Sequence, residues 1–442
     1  MVVVSAIGIV LIVVYFAIIW AVGLLSARKE STGDYLIASR KVGLLQTTAS
    51  IVAVMGGMVI IAQSSLAFEM GVTATWYWVG IALGMVGLGL AVKKIKLLAD
   101  KNKFLTLSDY FFEKFDNKTR ILCAVILFIA LYAVLVGQFI AAGSLFSPLL
   151  RISYPLAIMI MAVATLIYLV AGGFKAVIKT DFIQFLIMIV VLAFIPFSID
   201  IGRFLPEQVT FESTGGSLIF IFVMMGFFAV ISGHEAWQRV FASKSVRTAR
   251  NACFLSAILF FIFGLSLTII GISAKNHFPN IDPNMALFYG LFKLVPTPLI
   301  SIAVVALLAA IMSTIDTELF YLSTSIEKDF LHHKNERRMA RMIRRFILII
   351  AIISALTAIV FSNILTILFG IVSLLLVITP AFLASLKWRL KPNAVFMSLA
   401  AGLLSLIILI VTGSFSPDTS IITFPTAAVF LGIGQIIFRN GI

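Results

Sequence analysis

The amino-acid sequence predicts an all-α, polytopic membrane protein of about thirteen transmembrane helices. Three observations carry this reading. The 442-residue chain is 61% hydrophobic and 12% charged, too apolar to build a water-soluble core inside a polar shell. Its apolar runs reach the roughly 20 residues that a helix needs to cross the hydrocarbon of a bilayer. These runs lack the period-two alternation of barrel strands, and backbone amides in lipid must be satisfied internally, so helices are favoured over a barrel.

In chain order, runs of bilayer length fall near 1–26, 45–70, 74–97, 120–147, 152–172, 175–199, 216–241, 249–275, 297–326, 341–361, 363–386, 392–412 and 420–439. The first has no Lys or Arg before Arg28 and no small-residue cleavage site, so it is read as a retained span entering from outside. Thirteen spans then place the N-terminus outside and the C-terminus in the cytoplasm. The basic residues fit that alternation. Arg151, Arg203, Lys275 and Lys293 fall in outer connections, and the rest of the 33 Lys and Arg fall on the inner side. The net charge of +14 thus follows the membrane-insertion rule, and no nucleic-acid partner is expected. The 98–117 segment mixes charge with Phe and Tyr at helical spacing and reads as a short interfacial helix on the cytoplasmic face. Trp76, Tyr77 and Trp78 read as an aromatic belt where the third span meets the outer interface. Cys123 and Cys253 lie in apolar surroundings without metal-ligand spacing, as small buried hydrophobes do.

Glycines mark two candidate helix breaks. Gly56–Gly57 lies within the second span, and Gly226 and Ser232–Gly233 lie within the seventh. Each is either an unwound point or a close packing contact. Polar groups inside spans are the other signal. Ala310, Ser313, Thr314 and Thr317 recur at i, i+3, i+4 and i+7, on one face of the ninth helix. Their hydroxyls suit a hard cation, or else bond back to their own helix carbonyls. Asp181 and Asp316 enter the bilayer to comparable depth, and an unpaired acid there costs several kcal/mol. Each must face a cavity, a cation or a partner, with Lys175, Lys179 and Arg239 as the candidate partners.

Four stretches have a familiar form: ARKESTGDYLIASRKVG at 27–43, GGFKAVIKTDFIQ at 172–184, WQRVFASKSVRTAR at 237–250 and LLAAIMSTIDTELFYLSTSIEKDF at 307–330. With them the chain resembles the sodium:solute symporter family, which includes proline, pantothenate, sialic acid and glucose transporters. The resemblance implies a LeuT-type core of two five-helix halves in inverted topology, here 45–199 and 216–386, preceded by a first helix and cytoplasmic loop (1–44) and followed by two peripheral helices (387–442). It implies a single transport domain that moves a small organic solute with sodium by alternating access.

The resemblance also assigns roles. AIMST at 310–314 matches the family's AxxST pattern, which donates the Ala310 carbonyl and the Ser313 and Thr314 hydroxyls to sodium. Two helix-two carbonyls complete the shell, either Ala53 with Gly56 or Val52 with Met55. The first register is preferred because glycine adopts unwound backbone most readily. Asp181 falls on the ion's inward exit route or in a second ion site with Thr317, and Asp316 stands where the family offers a serine. That departure opens a second cation or a proton as possibilities.

The solute site is less legible. Gln63, Ser64, Ser65, Tyr132, Gln138, Phe227, Phe228, His234 and Glu235 are candidates to face a central cavity. Tyr132 and Gln138 could instead bond between helices, and His234 with Glu235 could cap a helix beside Arg239. No basic residue lies mid-span, which disfavours a phosphorylated or multiply acidic solute and favours an amino acid-like one. No Walker loop, nucleophile–base cluster or organic-cofactor motif occurs, so no enzyme activity is expected. The alternatives are a proton-coupled or exchanging transporter of the same fold, and a membrane solute sensor. A sensor would carry a signalling domain, and the sequence stops three residues after the last span.

Overall fold

Apolar segments of bilayer length can satisfy their backbone groups only within themselves, and the computed structural model is accordingly helical nearly throughout. It describes residues 6–28, 31–54, 56–198, 216–295, 297–331, 335–360, 364–416 and 419–438. The helices are α1 (Ala6–Ala27), α2 (Thr32–Ile37), α3 (Leu44–Ala53), α4 (Gly57–Met70), α5 (Thr75–Asn102), α6 (Leu107–Lys114), α7 (Asn117–Leu150), α8 (Tyr154–Ser198) and α9 (Gly216–Ser232). They continue as α10 (His234–Ala242), α11 (Val246–His277), α12 (Ala286–Leu294), α13 (Thr297–Ser325), α14 (Glu336–Val360), α15 (Ile364–Lys387), α16 (Pro392–Val411) and α17 (Thr423–Ile437).

Among the described residues nine helices are long and apolar enough to cross a membrane, or up to eleven when each of two bent pairs counts as one span. The bent pairs are α3 with the α4–α5 rod, at 59°, and α9 with α10, at 41°. The sequence expectation of thirteen divides the chain at two further places, and each carries a glycine at positive φ. Gly71 (φ 58°) ends α4 before α5, and Gly173 (φ 49°, ψ −147°) interrupts α8. A straight helix the length of α8 would run about 68 Å, more than twice the hydrocarbon thickness of about 30 Å. The kink at Gly173 is therefore required. A side chain there would meet Tyr35 Cδ2 at 2.5 Å, so α2 packs into the bend.

The core is organised around α13, buried from Ala303 to Ser325 and packed against α8, α7, α14 and α1. Helix α5 lies against α9 and α11, while α16 and α17 pair at one side. Two short cross-connections brace the ends of the broken helices. Val42 N donates to the Ala242 carbonyl at 3.1 Å and Lys244 N to the Val42 carbonyl at 3.0 Å, tying the entry of α3 to the exit of α10. Asp34 closes the capping box of α2 and pairs with Lys175 of α8 at 3.0 Å. Partial burial works against its charge, but hydrogen bonds from Ser39 and Lys175 prevail and hold its carboxyl at about 2.

Three local expectations change. The 98–117 segment is not one interfacial helix: residues 98–102 continue α5, and α6 spans Leu107–Lys114 with Tyr110 and Phe111 buried against protein. The Tyr110 hydroxyl meets Ser385 Oγ at 2.8 Å and its ring meets Trp237. Trp78 is fully buried rather than part of an interfacial belt, because Gly264 admits it against α11. Gly226 does not break the seventh span. Helix α9 runs through it, and a side chain there would meet the Tyr77 carbonyl at 2.0 Å, so this glycine is a packing contact.

Candidate ion and solute site at the helix breaks

The first break separates α3, which ends at Ala53, from α4, which begins at Gly57. Gly56 sits between them at φ 67°, ψ 141°, a conformation for glycine alone. A side chain at Gly56 would meet Gln138 Nε2 at 2.6 Å and Thr314 Oγ1 at 3.0 Å. Gln138 reaches in from α7 and accepts a hydrogen bond from Met58 N at 3.2 Å, satisfying one of the amides that the start of α4 leaves open. The second break is Gly233, extended at φ −73°, ψ 127°, which precedes α10 without a side-chain cap. Trp237 Nε1 donates to the Ile231 carbonyl at 3.0 Å, replacing a bond that the break removes from α9.

Helix α13 meets the first break with its hydroxyls. Ser313 Oγ lies 2.7 Å from the Ala53 carbonyl and 3.0 Å from the Ala310 carbonyl. Thr314 Oγ1 lies 3.2 Å from the Ala310 carbonyl. The structure thus brings Ala53, Gly56, Ala310, Ser313 and Thr314 together from two elements, as an all-oxygen set that suits a hard monovalent cation. Back-bonding to the helix's own carbonyls is present too, but the Ser313–Ala53 contact crosses between helices and is not explained by it. In the other register, the Val52 carbonyl accepts from Val54 N, and Met55 lies outside the described residues.

Beside this cluster sits a layer of buried charge. Arg239 Nη2 pairs with Asp181 Oδ2 at 3.2 Å and donates to Thr317 Oγ1 at 2.7 Å, while its Nε donates to Ser50 Oγ at 2.9 Å. Ser50 in turn donates to Asp181 in a short hydrogen bond. All four side chains are buried. Of the three basic candidates, Arg239 is therefore the partner of Asp181, and Lys175 belongs to Asp34. Asp316 accepts from the Tyr168 hydroxyl at 2.5 Å, and Gln184 Nε2 donates to the Tyr15 hydroxyl at 2.9 Å nearby in α1. Asp181 Oδ1, Asp316 Oδ1 and Arg239 Nη1 are buried without hydrogen-bond partners. Ser50, Tyr15 and Tyr168 escaped the sequence reading; isolated hydroxyls in apolar runs were the available signal.

A cavity of about 140 Å³ opens between the two breaks, lined by Val54, Tyr77, Met85, Gly233, Glu235 and Phe260 among others. Of the solute-site candidates, Glu235 lines it. The others are not among its lining residues. Gln63 Nε2 donates to the Ala74 carbonyl and to Thr268, and Ser64 bonds back to Ile60. Tyr132 meets Thr357 at 2.6 Å, and Phe228 stacks on Phe424 at 4.3 Å. Phe227 packs against Phe228 and Gly87. Ser65 is buried without a hydrogen-bond partner. His234 is buried against Tyr321, with ring centroids 4.0 Å apart.

Two discontinuous helices facing a hydroxyl-bearing one, inside a polytopic helical bundle, define the class of secondary transporters with broken-helix sites. The profile of the sodium:solute symporter family matches residues 35–203 and 206–402, and the chain belongs to that family. It is 27% identical to a sodium/pantothenate symporter of Haemophilus influenzae over 73% of this chain and 72% of that one. It is 26% identical to the sodium/proline symporter of Escherichia coli over 73% and 70%, and 25% identical to an osmoregulated proline transporter of Bacillus subtilis over 90% and 88%. In fold it is similar to a substrate-bound, outward-open sodium-coupled sialic acid symporter, with a TM-score of 0.78, 17% identity and 98% of each chain covered. A manganese transporter of Eremococcus coleocola shares the fold more distantly, with a TM-score of 0.54 and 14% identity.

Proposed function

We propose that this sodium-coupled symporter carries an amino acid-like solute into the cell by alternating access, with sodium bound by the Ala53, Gly56 and Ala310 carbonyls and the Ser313 and Thr314 hydroxyls. The observation that carries the reading is the meeting of the Ser313 hydroxyl with the carbonyl of the last residue before the α3–α4 break. An ion there ties α13 to a discontinuous helix, so its presence favours the arrangement that encloses the cavity.

The solute assignment follows from the cavity's chemistry. Its wall is apolar apart from a few groups, among them the Glu235 carboxylate, and the start of α10 at Gly233, which has no side-chain cap, lines it. A zwitterion places its ammonium toward Glu235 and its carboxylate toward an uncapped helix start. Proline or pantothenate transport in relatives agrees with a small solute bearing a carboxylate. Asp181, Thr317 and Asp316 form the ion's exit route or a second ion site, with Arg239 as a movable counter-charge. In this reading the chain crosses a cell membrane thirteen times, with two inverted five-helix halves, the N-terminus outside and the C-terminus in the cytoplasm.

The test is solute affinity of purified protein in sodium against potassium at matched ionic strength, with proline and pantothenate heading a panel of labelled solutes. Wild type binds its solute about 5- to 150-fold more tightly in sodium. Ser313→Ala and Thr314→Ala each lose that dependence. Absence of any sodium effect in wild type overturns the coupling assignment, and persistence of the effect in both variants moves the ion elsewhere.

A further inference from the structure

At the start of α10, next to the second break, His234 and Glu235 face Glu318 of α13. His234 Nδ1 lies 3.4 Å from Glu235 Oε2, and His234 Nε2 lies 3.5 Å from Glu318 Oε2. One ligand atom from each residue can be chosen so that all three lie within 4.8 Å of one another. His234 and Glu318 are fully buried. Neither imidazole nitrogen and neither Glu318 oxygen makes a hydrogen bond, so the contacts are close in distance but not aligned for proton sharing.

We propose that His234, Glu235 and Glu318 form a site for one divalent first-row transition-metal ion, of the manganese or zinc class. Charge is the first argument. Glu318 is fully buried and Glu235 is partly exposed, and a carboxylate as buried as Glu318 costs several kcal/mol unless a cation compensates it. Arg239, further along α10, pairs with Asp181 and bonds to Ser50 and Thr317, and no ion pair joins it to Glu235 or Glu318 among the described residues. A divalent cation neutralises both carboxylates at once. Ligand type is the second argument. One imidazole with carboxylates suits manganese, zinc or cobalt, whereas sodium and calcium take all-oxygen shells. Geometry is the third. Donors around an ion with bonds of about 2.1 Å stand roughly 3–4 Å apart. With a single imidazole nitrogen and one oxygen from each carboxylate the three donors lie within 4.8 Å of one another, so side-chain rotation has to draw them in by a few tenths of an ångström or more to close on one ion. The Tyr321 ring holds the imidazole from one side.

The site shares no ligand with the proposed sodium set and does not rest on the coupling assignment. Because Glu235 also lines the cavity, an ion here and a cationic group of a solute exclude one another.

The experiment uses full-length protein in nanodiscs, stripped with chelator and titrated with Mn²⁺ under electron paramagnetic resonance. The chain has four histidines, so a background carrying His277→Gln, His332→Gln and His333→Gln leaves His234 as the sole imidazole. We expect one ion per chain in wild type and in this background, with a nitrogen coupling from a single imidazole in the pulsed spectrum. Glu318→Gln and His234→Gln, each made in the background, weaken binding on the order of 100-fold, while Gly432→Ala, in α17 with no atom near the added carbon, leaves it unchanged. No stoichiometric binding in wild type, an ion without nitrogen coupling in the background, or unaltered affinity in a folded Glu318→Gln protein each overturns the proposal. Should Glu318→Gln fail to fold, the nitrogen coupling in the background decides the matter alone.

Discussion

Arg239 is the side chain on which the polar interior turns. Its guanidinium reaches Asp181, Thr317 and Ser50, three groups from three helices, and its cation lies 5.6 Å from the centre of the Phe174 ring. A buried pair of this kind adds little net stability, because desolvation offsets attraction, but removing one partner strands the other. Arg239→Gln is therefore expected to destabilise the fold by about 3–5 kcal/mol, and the double variant with Asp181→Asn by much less. Thermal unfolding of both single variants and the double variant in one detergent measures this, and a double loss equal to the sum of the two single losses would show that the pair is not coupled. Asp181→Asn alone should slow sodium-driven uptake more than it weakens equilibrium solute binding, since an acid on the exit route acts on release. Uptake rates and binding isotherms on the same preparation separate the two effects.

Among the helices, glycine carries two distinct jobs that the one-letter code does not tell apart. Gly56 and Gly173 stand at positive φ and permit bends. Gly226 and Gly80 have helical backbone, and a side chain on either would strike main-chain atoms of the facing helix, at 2.0 Å and 2.2 Å. The α5–α9 contact is thus backbone against backbone, built on small residues. Gly226→Ala is expected to cost about 1–3 kcal/mol through overpacking. Gly432→Ala in α17, where no atom lies within 4 Å of the added carbon, should be neutral or slightly stabilising. Melting temperatures of the two variants make the comparison, and similar values would remove the packing argument.

For the molecule as a whole, the proposed orientation rests on the distribution of Lys and Arg. The buried, unpaired state of Cys123 and Cys253 makes the wild type a silent background for thiol labelling. Lys101→Cys, exposed at the end of α5, and Asn280→Cys, exposed in the turn after α11, lie on opposite sides in the proposed topology. An impermeant maleimide applied to intact cells should modify the second and spare the first until the membrane is opened. The reverse pattern would invert the orientation, and labelling of both would remove a span between them.

Fold class was legible from hydrophobicity and run length because lipid leaves the backbone no alternative to helix or closed barrel. The Ser313 and Thr314 cluster was legible in outline because helical spacing places hydroxyls on one face without any tertiary information. What such spacing cannot convey is which face meets which helix. Phe228, Tyr132 and Gln63 had suitable chemistry for a cavity, yet their helices turn them toward Phe424, Thr357 and Thr268. The partner of Asp181 was one of three basic residues until packing brought Arg239 to it across 58 positions of chain. Gly226 and Gly233 were equally plausible breaks, and only the approach of the Tyr77 carbonyl made the first a contact. The meeting of His234 with Glu318 depends on α10 lying beside α13, a contact between elements far apart in the chain. Local periodicity is written in neighbours along the sequence, whereas pairing of buried charges is decided by the single packing that leaves the fewest of them stranded.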